Sequence, residues 1–300
     1  MQLDEFKKNK DKPVNTLLVA GTLCLICALV VSSASAALKS IQEANIALDV
    51  KKNLLAVTKF PAEKMASADL INQTFKDNFD VQIIKLESGE EASEACLAAM
   101  KEIGKKDWTK DDIHEKYNQF LATKTKKPAV CEAIPAADDY ANVKYREKFS
   151  HVYVLKNEDG SPKSYVFPVR GYGLWSMMRG FLSVKPDFQT VEGLVFYEQA
   201  ETPGLGGEVK SEGFKKQWAG KQLYADNGDV QIRVIKNAED NHSIDALSGA
   251  TITSNGVTNA MRYWMGPFGF KKYIDLQKAG GSNGQETSSM TVDGKGVNNG

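Results

Sequence analysis

A run from Pro13 to Leu38 contains no charged residue, and this limits the structures open to the first part of the chain. Its centre, from Leu17 to Val31, is strongly apolar. A helix needs about 20 such residues to cross a hydrocarbon layer of roughly 30 Å, so residues 15–38 are predicted to form a transmembrane helix. Lysines precede this run at positions 7, 8, 10 and 12. By the positive-inside rule they keep residues 1–14 in the cytoplasm, and the chain after the helix is then exported.

A cleaved signal peptide is the alternative interpretation of this segment. The lysine-rich start, the apolar centre and Ala34-Ser35-Ala36 before Ala37 fit a signal peptidase site. In either case the bulk of the chain lies outside the cytoplasm. The apolar run has no carboxylate, amine or imidazole side chain, and such groups usually mark ion pathways in membranes. No ion is therefore expected to cross the membrane through this segment.

Length and charge set the outer bounds. The 300 residues are enough for one good-sized domain in addition to the apolar segment. The 38 Lys and Arg residues balance the 38 Asp and Glu residues, so the formal net charge is zero. A nucleic-acid-binding surface needs a basic excess on one face, and neither DNA nor RNA is expected as a partner. The three histidines are scattered, without ligand-like spacing to Cys or carboxylate residues, and no metal site is predicted.

The pattern of apolar residues predicts an α+β fold, with a mainly antiparallel sheet and packed helices, preceded by the one N-terminal transmembrane helix. Helix-like spacing occurs at Ser40 to Val57, Ala92 to Ile103 and Lys110 to Ala122. Strand signals come later, at His151 to Leu155, Tyr165 to Val169, Val191 to Tyr197 and Val230 to Ile235.

The chain beyond the apolar run is expected to form one exported domain, residues 39–278. A charge-rich stretch within it, 86–136, is predicted to be an insertion. Residues 279–300 are rich in Gly, Ser and Asn and have too little apolar surface to pack, so they are predicted to be a disordered tail.

The four cysteines divide into two pairs. Cys24 and Cys27 lie inside the apolar run and are interpreted as small apolar residues of the membrane helix. Cys96 and Cys131 lie in the exported part, where an oxidising compartment would allow a disulfide. Whether they form one is left open by the sequence.

The most specific motif is the stretch from Asp245 to Thr253, which reads Asp-Ala-Leu-Ser-Gly-Ala-Thr-Ile-Thr. The small residues Ser248, Gly249 and Ala250 let a bulky group approach the backbone, and glycine permits backbone angles that other residues avoid. Taken alone, a turn of this kind is typical of a plain capped helix. The complete pattern, with its Asp ahead and its further Thr residues behind, favours an acceptor site.

A helix is predicted directly after this motif, from near Ser254 to Gly266-Pro267, with Thr253 or Ser254 as its N-cap. Its apolar stripe consists of Val257, Ala260, Met261, Trp264 and Met265. The positive end of such a helix favours an anion by roughly 0.3–1 kcal/mol where it is exposed. The motif therefore suits a phosphate.

The full pattern resembles the flavinylation motif, Asp-x-x-Ser/Thr-Gly-Ala-Thr/Ser-x-Thr/Ser, in which a flavin transferase esterifies the phosphate of FMN onto the last hydroxyl residue. That residue is Thr253. Gly171 to Met178, Glu201 to Glu208 and Gln217-Trp218 are similar in order and rough spacing to the C subunit of the sodium-translocating NADH:quinone oxidoreductase. The resemblance runs from the N-terminal segment to about Ile274.

This resemblance implies an electron-carrying subunit of an enzyme complex, the sodium-pumping NADH:ubiquinone oxidoreductase of the cell inner membrane. It implies FMN held covalently through a phosphoester to Thr253, with a flavin transferase as partner during maturation. The chain would be a single-pass membrane protein with its main domain in the periplasm. NADH oxidation, quinone reduction and sodium transport would belong to the other subunits, and no catalytic residue is expected here.

Residues that contact FMN are predicted in two regions. The acceptor motif contributes Asp245, Ser248, Gly249, Ala250, Thr251 and Thr253. Two loops are expected to supply apolar surface and accessible backbone groups, through Leu174, Trp175, Thr202, Gly204, Leu205 and Gly206. A place in the core is the alternative for Trp175, and Glu201 is either a site residue or a structural salt-bridge partner.

The chain departs from the family at two points, and two other functions stay open. Family members commonly carry His where this chain has Arg170, and His-Gly where it has Gln199-Ala200, which affects contacts at the flavin edge but not the acceptor. The G subunit of an RNF-type electron-transport complex shares Glu201 to Gly206 and the acceptor motif. Gly173 to Ser176 and Ser254 to Val257 favour the quinone oxidoreductase instead. The third possibility is a membrane-anchored periplasmic binding module without flavin, in which the motif is only a turn.

Overall fold

A computed structural model describes residues 13–103, 108–109, 112–114 and 117–286 of the chain. The chain divides into two compact units, Met1–Leu48 and Asp49–Gly300. Helix α1, Pro13–Val57, begins in the first unit and ends in the second. Its continuation from Ser40 to Val57 confirms the helix predicted there from the apolar spacing.

The apolar run predicted to cross a membrane lies within α1. Among the described residues, one helical segment is long and apolar enough to do so, Pro13–Lys39, with 27 residues and no burial against the rest of the protein. By its length and composition this segment could cross a membrane, which is consistent with the predicted anchor. A signal sequence at this position would meet the same criterion.

The second unit contains the remaining helices and all the strands of the described chain. Its helices are α2 Ala68–Asn78, α3 Glu94–Lys101, α4 Gln119–Thr125, α5 Glu212–Lys216, α6 Thr251–Trp264 and α7 Lys271–Glu286. Its strands are β1 Phe79–Lys85, β2 Cys131–Ala133, β3 Tyr145–Glu147, β4 Phe149–Lys156, β5 Pro162–Tyr172, β6 Met177–Val184, β7 Val191–Glu198, β8 Arg233–Ile235 and β9 Ser243–Asp245. Short 3₁₀ helices occupy Ala62–Met65 and Gly206–Lys210.

The centre of this unit is a five-stranded sheet in the order β1-β4-β5-β6-β7. Every neighbouring pair is antiparallel. Strands β5 and β6 stay paired up to Tyr172 and Met177, so they form a hairpin with its turn at 173–176. Strands β2 and β3 form a second antiparallel pair, whereas β8 and β9 pair in parallel. The predicted α+β fold with a mainly antiparallel sheet is confirmed.

Helices cover both faces of the sheet. Neighbouring residues of a strand point to opposite faces, and Ile83 and Ile84 of β1 accordingly belong to different apolar clusters. Ile84 packs in the main core with residues of α6 such as Trp264, and Ile83 packs in a second cluster with Leu97 of α3. Strand β5 is therefore buried without alternation from residue 164 to 171.

Helix α6 crosses the end of β5 at close range. A Cβ atom at Gly256 would lie 2.3 Å from the carbonyl oxygen of Tyr172, and one at Gly171 would lie 2.8 Å from the Cβ of Ala260. The indole N–H of Trp264 donates a hydrogen bond of 2.6 Å to the carbonyl of Arg170. This packing places the first turn of α6 next to the β5–β6 turn.

The structure corrects the predicted start of α6. The helix begins at Thr251 with Ala250 as N-cap, so the prediction of an N-cap at Thr253 or Ser254 was wrong. The hydroxyl of Ser254 instead accepts a hydrogen bond of 3.1 Å from the backbone N–H of Leu247. It closes the turn before the helix rather than capping the helix.

Two further boundaries differ from the sequence prediction. The helix predicted from Lys110 to Ala122 is interrupted, because Asn118 is non-helical and its side chain caps α4 by accepting from the N–H of Leu121 at 2.9 Å. Helix α7 continues to Glu286, which lies within the stretch 279–300 predicted to be a disordered tail. Extending a formed helix costs less than starting one. Residues 287–300 lie outside the described part.

The stretch predicted to be an insertion, 86–136, contributes to the second apolar cluster through Leu97, Met100 and Tyr117. Its two cysteines are free thiols: Cys131 is buried in β2, and Cys96 lies half-buried on α3. Within the described residues, this segment therefore packs onto the sheet without a disulfide.

Candidate functional site

Thr253, the predicted acceptor, lies in the first turn of α6 and is only 1% exposed. Its hydroxyl donates a hydrogen bond of 2.8 Å from Oγ1 to Oε2 of Glu201. Glu201 follows β7, 52 positions earlier in the chain, and is 5% exposed. The packing of α6 across the sheet brings these two buried polar groups together.

The carboxylate of Glu201 also binds the β5–β6 turn. Oε2 accepts from the backbone N–H of Leu174 at 3.0 Å. Oε1 accepts from the N–H of Trp175 at 3.0 Å, and from the N–H and hydroxyl of Ser176 at 2.9 and 2.8 Å. With Thr253, five donors surround one carboxylate. Glu201 thus links the acceptor residue to the turn that carries Leu174 and Trp175.

These donors determine the ionisation of Glu201. Burial raises the pKa of the carboxyl, but the hydrogen bonds from Thr253, Ser176 and the backbone outweigh it and leave the pKa below its ordinary value. The group is therefore an anion at neutral pH. A buried anion is tolerated only where donors replace its hydration, as they do here.

Two glycines allow the groups to approach so closely. A Cβ atom at Gly206 would lie 2.6 Å from Oγ1 of Thr253 and 2.9 Å from Oε2 of Glu201. One at Gly173 would lie 2.7 Å from the carboxylate carbon. All three distances are shorter than a normal contact, so a side chain at either position would force the site apart.

An open cleft of about 240 Å³ lies against the acceptor. It is lined by Leu174, Glu201, Thr202, Leu205, Gly206, Gly249, Ala250, Thr251, Ile252 and Thr253. Apolar side chains are exposed here: Leu174 is 44%, Leu205 43% and Ile252 56% exposed. A larger concavity of about 640 Å³, lined in part by Tyr140 and Arg262, contains none of the motif residues.

The N-terminus of α6 opens into this cleft. Ala250 has no side-chain oxygen with which to cap the helix, and the first backbone hydrogen bond of the helix runs from the N–H of Ser254 to Ala250. The N–H groups of Thr251, Ile252 and Thr253 consequently have no acceptor within the helix. Together with the helix dipole, they favour an anionic group at this end.

The structure brings together eight of the predicted contact residues along the cleft and leaves four outside its lining. Those that line it are Leu174, Thr202, Leu205, Gly206, Gly249, Ala250, Thr251 and Thr253. Those outside are Asp245, Ser248, Trp175 and Gly204. Trp175 is 66% exposed next to the cleft, so the alternative of a core tryptophan was wrong.

Asp245 has a structural role in the described chain. Its carboxylate accepts from the N–H of Ala238 at 2.9 Å, and its own N–H donates to the side chain of Gln217 at 2.8 Å. The motif therefore includes a residue that holds the preceding loop rather than the cleft. Gln217, which belongs to the separate Gln217-Trp218 block, helps to hold this loop through its hydrogen bond with Asp245.

Sequence reasoning missed the central position of Glu201 and the contributions of Ser176 and Ile252. The local signal for Glu201 was its place at the start of the Glu-Thr-Pro-Gly-Leu-Gly block. Of its two interpretations, the salt-bridge partner is wrong, since its described partners are N–H and hydroxyl groups, and the residue lines the cleft beside Thr253. Its partner Thr253 is too distant in sequence for a local pattern to predict.

The two departures from the family pattern lie beside the site. Arg170 is buried, forms an ion pair of 2.6 Å with buried Glu147 and stacks 4.5 Å from the ring of Trp264. Gln199 accepts from the backbone N–H of Glu201 at 2.5 Å. Both residues support the strands and the loop around the site.

Comparison with known proteins assigns the chain to a family. A family model described as an FMN-binding domain matches residues 173–266. The C subunit of the Na(+)-translocating NADH-quinone reductase of Pasteurella multocida is 37% identical over 91% of this chain and 97% of its own length. The corresponding protein of Pseudomonas aeruginosa is 35% identical over 89% of this chain and 96% of its length.

Comparison with solved structures points to the same family as the sequence comparison. The crystal structure of Shewanella oneidensis NqrC matches with a TM-score of 0.65 at 29% identity, over 77% of this chain and 96% of that one. The matched family model spans the β5–β6 turn, Glu201 and Thr253. The chain therefore belongs to the C-subunit family of the Na(+)-translocating NADH-quinone reductase, an oxidoreductase complex.

Proposed function

We propose that this chain carries FMN as a phosphoester on Thr253 and serves as an electron-carrying subunit of a sodium-pumping NADH:ubiquinone oxidoreductase. The observation that carries the proposal is the position of the Thr253 hydroxyl. It lies at the first turn of a helix whose N–H groups open into a cleft, within the region that matches an FMN-binding domain.

The residues present fit a flavin phosphate. The uncapped N–H groups of Thr251 to Thr253 would hold its oxygens, and the helix dipole would favour its charge by roughly 0.3–1 kcal/mol where exposed. Gly206 and Gly249 leave room at the cleft wall, and Gly249 has a positive φ of 70° that favours glycine. No anion-repelling carboxylate other than Glu201 lines the cleft in the described chain.

The exposed apolar side chains fit the ring. Leu174, Trp175, Leu205 and Ile252 are all exposed beside the acceptor, and isolated apolar patches of this kind mark binding sites. When bound, FMN supplies one- or two-electron transfer. Because the ester is at the phosphate, the reduction potential would be set by residues around the ring and not by the attachment bond.

The composition of the apolar segment supports separate roles for this chain, in electron transfer, and for its partner subunits, in sodium transport. Pro13–Lys39 would anchor the chain in the inner membrane, with the lysines before it in the cytoplasm and the flavin domain in the periplasm. The segment between Pro13 and Leu38 has no ionisable carboxylate, amine or imidazole. Sodium would therefore move through partner subunits, and this chain would carry electrons between them.

A pair of threonine variants tests the attachment. Full-length chain is co-expressed with a flavin transferase, denatured, separated by electrophoresis and scanned under ultraviolet light. Covalent flavin survives denaturation, so the unaltered chain is expected to fluoresce and Thr253→Val to be dark. Thr253→Ser, which keeps a hydroxyl at the acceptor position as the motif allows, is the matched control and is expected to keep its fluorescence. Fluorescence of Thr253→Val equal to the control contradicts the site.

Two other functions make different predictions. A flavin-free binding module would remain dark in the unaltered chain as well. The G subunit of an RNF-type complex would fluoresce but co-purify with RNF subunits instead of those of the quinone reductase. The family membership favours the quinone reductase.

A further inference from the structure

We propose that Glu201 is the catalytic proton acceptor for the attachment of FMN, supplied by this chain to the reaction that modifies it. The inference rests on the proposed function, since it concerns the same acceptor hydroxyl. It assigns to the substrate chain a step that would otherwise be expected of the flavin transferase alone.

The hydrogen bond fixes the direction of the acceptor hydroxyl. Oγ1 of Thr253 has the carboxylate of Glu201 as its hydrogen-bond partner within the described structure, at 2.8 Å. A carboxylate can only accept, so the hydroxyl hydrogen points to Oε2. The lone pairs of Oγ1 are then directed away from Glu201. Thr253 lines the cleft but is only 1% exposed, so a phosphorus atom placed there must displace part of the cleft wall to meet these lone pairs.

The two carboxylate oxygens are not equivalent. Oε1 accepts three hydrogen bonds, from the N–H of Trp175 and from the N–H and hydroxyl of Ser176. Oε2 accepts only two, from Leu174 and from Thr253 itself. Oε2 is therefore the oxygen that can take the proton, and the donors on Oε1 hold the group in place while it does.

The chemistry balances with an activated flavin donor. Ester formation from free FMN would release water and is unfavourable in water, so the donor must carry its FMN phosphate in a phosphoanhydride, as a flavin dinucleotide does. A bond forms between Oγ1 and the FMN phosphorus, and the anhydride P–O bond breaks with its electron pair on the leaving nucleotide. The hydroxyl proton passes from Oγ1 to Oε2 of Glu201 and then to water. Nothing is oxidised or reduced.

The surroundings of Glu201 suit such a role. The hydrogen bonds that lower its pKa keep Oε2 unprotonated at neutral pH, so it can accept a proton, but they also make the carboxylate a weaker base. A carboxyl of low pKa also releases the proton afterwards. A purely structural role, holding the β5–β6 turn, is the competing explanation, and it predicts that the attachment rate falls only when the fold of the site is disturbed.

Glu201→Gln tests the role directly. Purified full-length chain in detergent is incubated with flavin transferase and flavin adenine dinucleotide, and labelling is followed by in-gel fluorescence and peptide mass. General-base catalysis contributes about 100-fold or more, so the rate is expected to fall at least that far in Glu201→Gln. Glu198→Gln, on the exposed end of β7, is the matched control and is expected to label at the unaltered rate. Equal labelling of Glu201→Gln and the control overturns the inference.

Ser176→Ala keeps the test valid if Glu201→Gln does not fold. It removes one hydrogen bond to Oε1 and the one that Ser176 Oγ accepts from the backbone N–H of Ala200 at 2.8 Å, while both Glu201 and Thr253 are retained. Its loss raises the pKa of Glu201, so the acidic limb of the labelling rate is expected to shift to higher pH. The same transferase is used for both chains, which cancels the pH dependence of that enzyme. Superimposable pH profiles overturn the inference.

The two levels of the proposal fail in different ways. If the unaltered chain is not labelled at all, the proposed attachment fails. If the unaltered chain is labelled on Thr253, while Glu201→Gln folds and is labelled as fast or the Ser176→Ala profile does not shift, only the role of Glu201 fails.

Discussion

The hydroxyl of Thr253 and the carboxylate of Glu201 are both buried, and buried polar groups require partners because they have lost their water. Each provides a hydrogen-bond partner for the other. Glu201 also binds the backbone of Leu174 and Trp175, whose side chains are exposed beside the cleft. One carboxylate therefore positions both the proposed attachment residue and the apolar surface proposed for the ring.

Gly206 provides a test of this close packing. A Cβ at this position would lie 2.6 Å from Oγ1 of Thr253, so Gly206→Ala must displace the hydroxyl, the carboxylate or the loop. The expected cost is about 1–3 kcal/mol in the free energy of unfolding, together with a marked loss of flavin labelling. Chemical denaturation and in-gel fluorescence measure the two effects.

Gly213→Ala is the matched control, because a Cβ there meets nothing within 4 Å and the residue lies inside helix α5. This substitution is expected to leave labelling intact and to stabilise the chain by up to roughly 1 kcal/mol. If Gly206→Ala behaves like Gly213→Ala, the proposed packing around Thr253 is contradicted.

At the scale of elements, the central sheet buries residues on both faces, and this has a consequence for His151 of β4. Its side chain is 4% exposed and lies between the rings of Tyr117 and Tyr153, at 5.9 and 5.6 Å. Its Nε2 has no hydrogen-bond partner among the described residues. Burial, assisted by the nearby His114, lowers the pKa of His151 to about 4.

This pKa predicts acid sensitivity. Below about pH 6.5 an unfolded chain protonates the imidazole, whereas the folded chain does not until about pH 4. Stability that is present above pH 6.5 is therefore lost as the pH falls towards 4, by about 3 kcal/mol from this residue. Denaturation of the unaltered chain and of His151→Phe between pH 7 and 4 measures the effect. The variant is expected to show the shallower decline, and parallel curves contradict the account of His151.

The elements also show what the sequence could and could not predict. Strands β4, β5 and β7 were predicted where they occur, because their β-branched and aromatic residues form compact runs between turn signals. Strand β1 was not predicted: Phe79 to Lys85 begins directly after α2 and lacks a separating turn. The parallel pairing of β8 with β9 was not predicted either, since it joins short segments through tertiary packing.

In the candidate site, too, local features could be predicted from the sequence and contacts between distant residues could not. The acceptor motif is local, so Thr253 could be proposed as the acceptor from residue spacing. Its contact with Glu201 spans 52 positions and depends on α6 crossing β5, which no local pattern contains. The N-cap was misplaced for a related reason. The hydroxyl of Ser254 could have capped the helix locally, but it instead accepts a hydrogen bond from the backbone N–H of Leu247 in the preceding turn.

At the scale of the whole molecule, the chain combines a helix suited to a membrane with a compact domain that holds the site. A flavin held only by contacts can dissociate, and a cell cannot readily replace it outside the cytoplasm. A covalent ester removes that loss while leaving the ring free for electron transfer. Membership of the quinone reductase family places such a chain among partner subunits that would supply and remove its electrons.

The most direct test of the central claim is peptide mapping of the chain purified from the membranes of its own host. The protein is digested, and fluorescent peptides are sequenced by tandem mass spectrometry. Attachment of FMN to Thr253 predicts one flavin-bearing peptide, with the mass of FMN less water on Thr253. A chain recovered without flavin, or with FMN on any other residue, would contradict it.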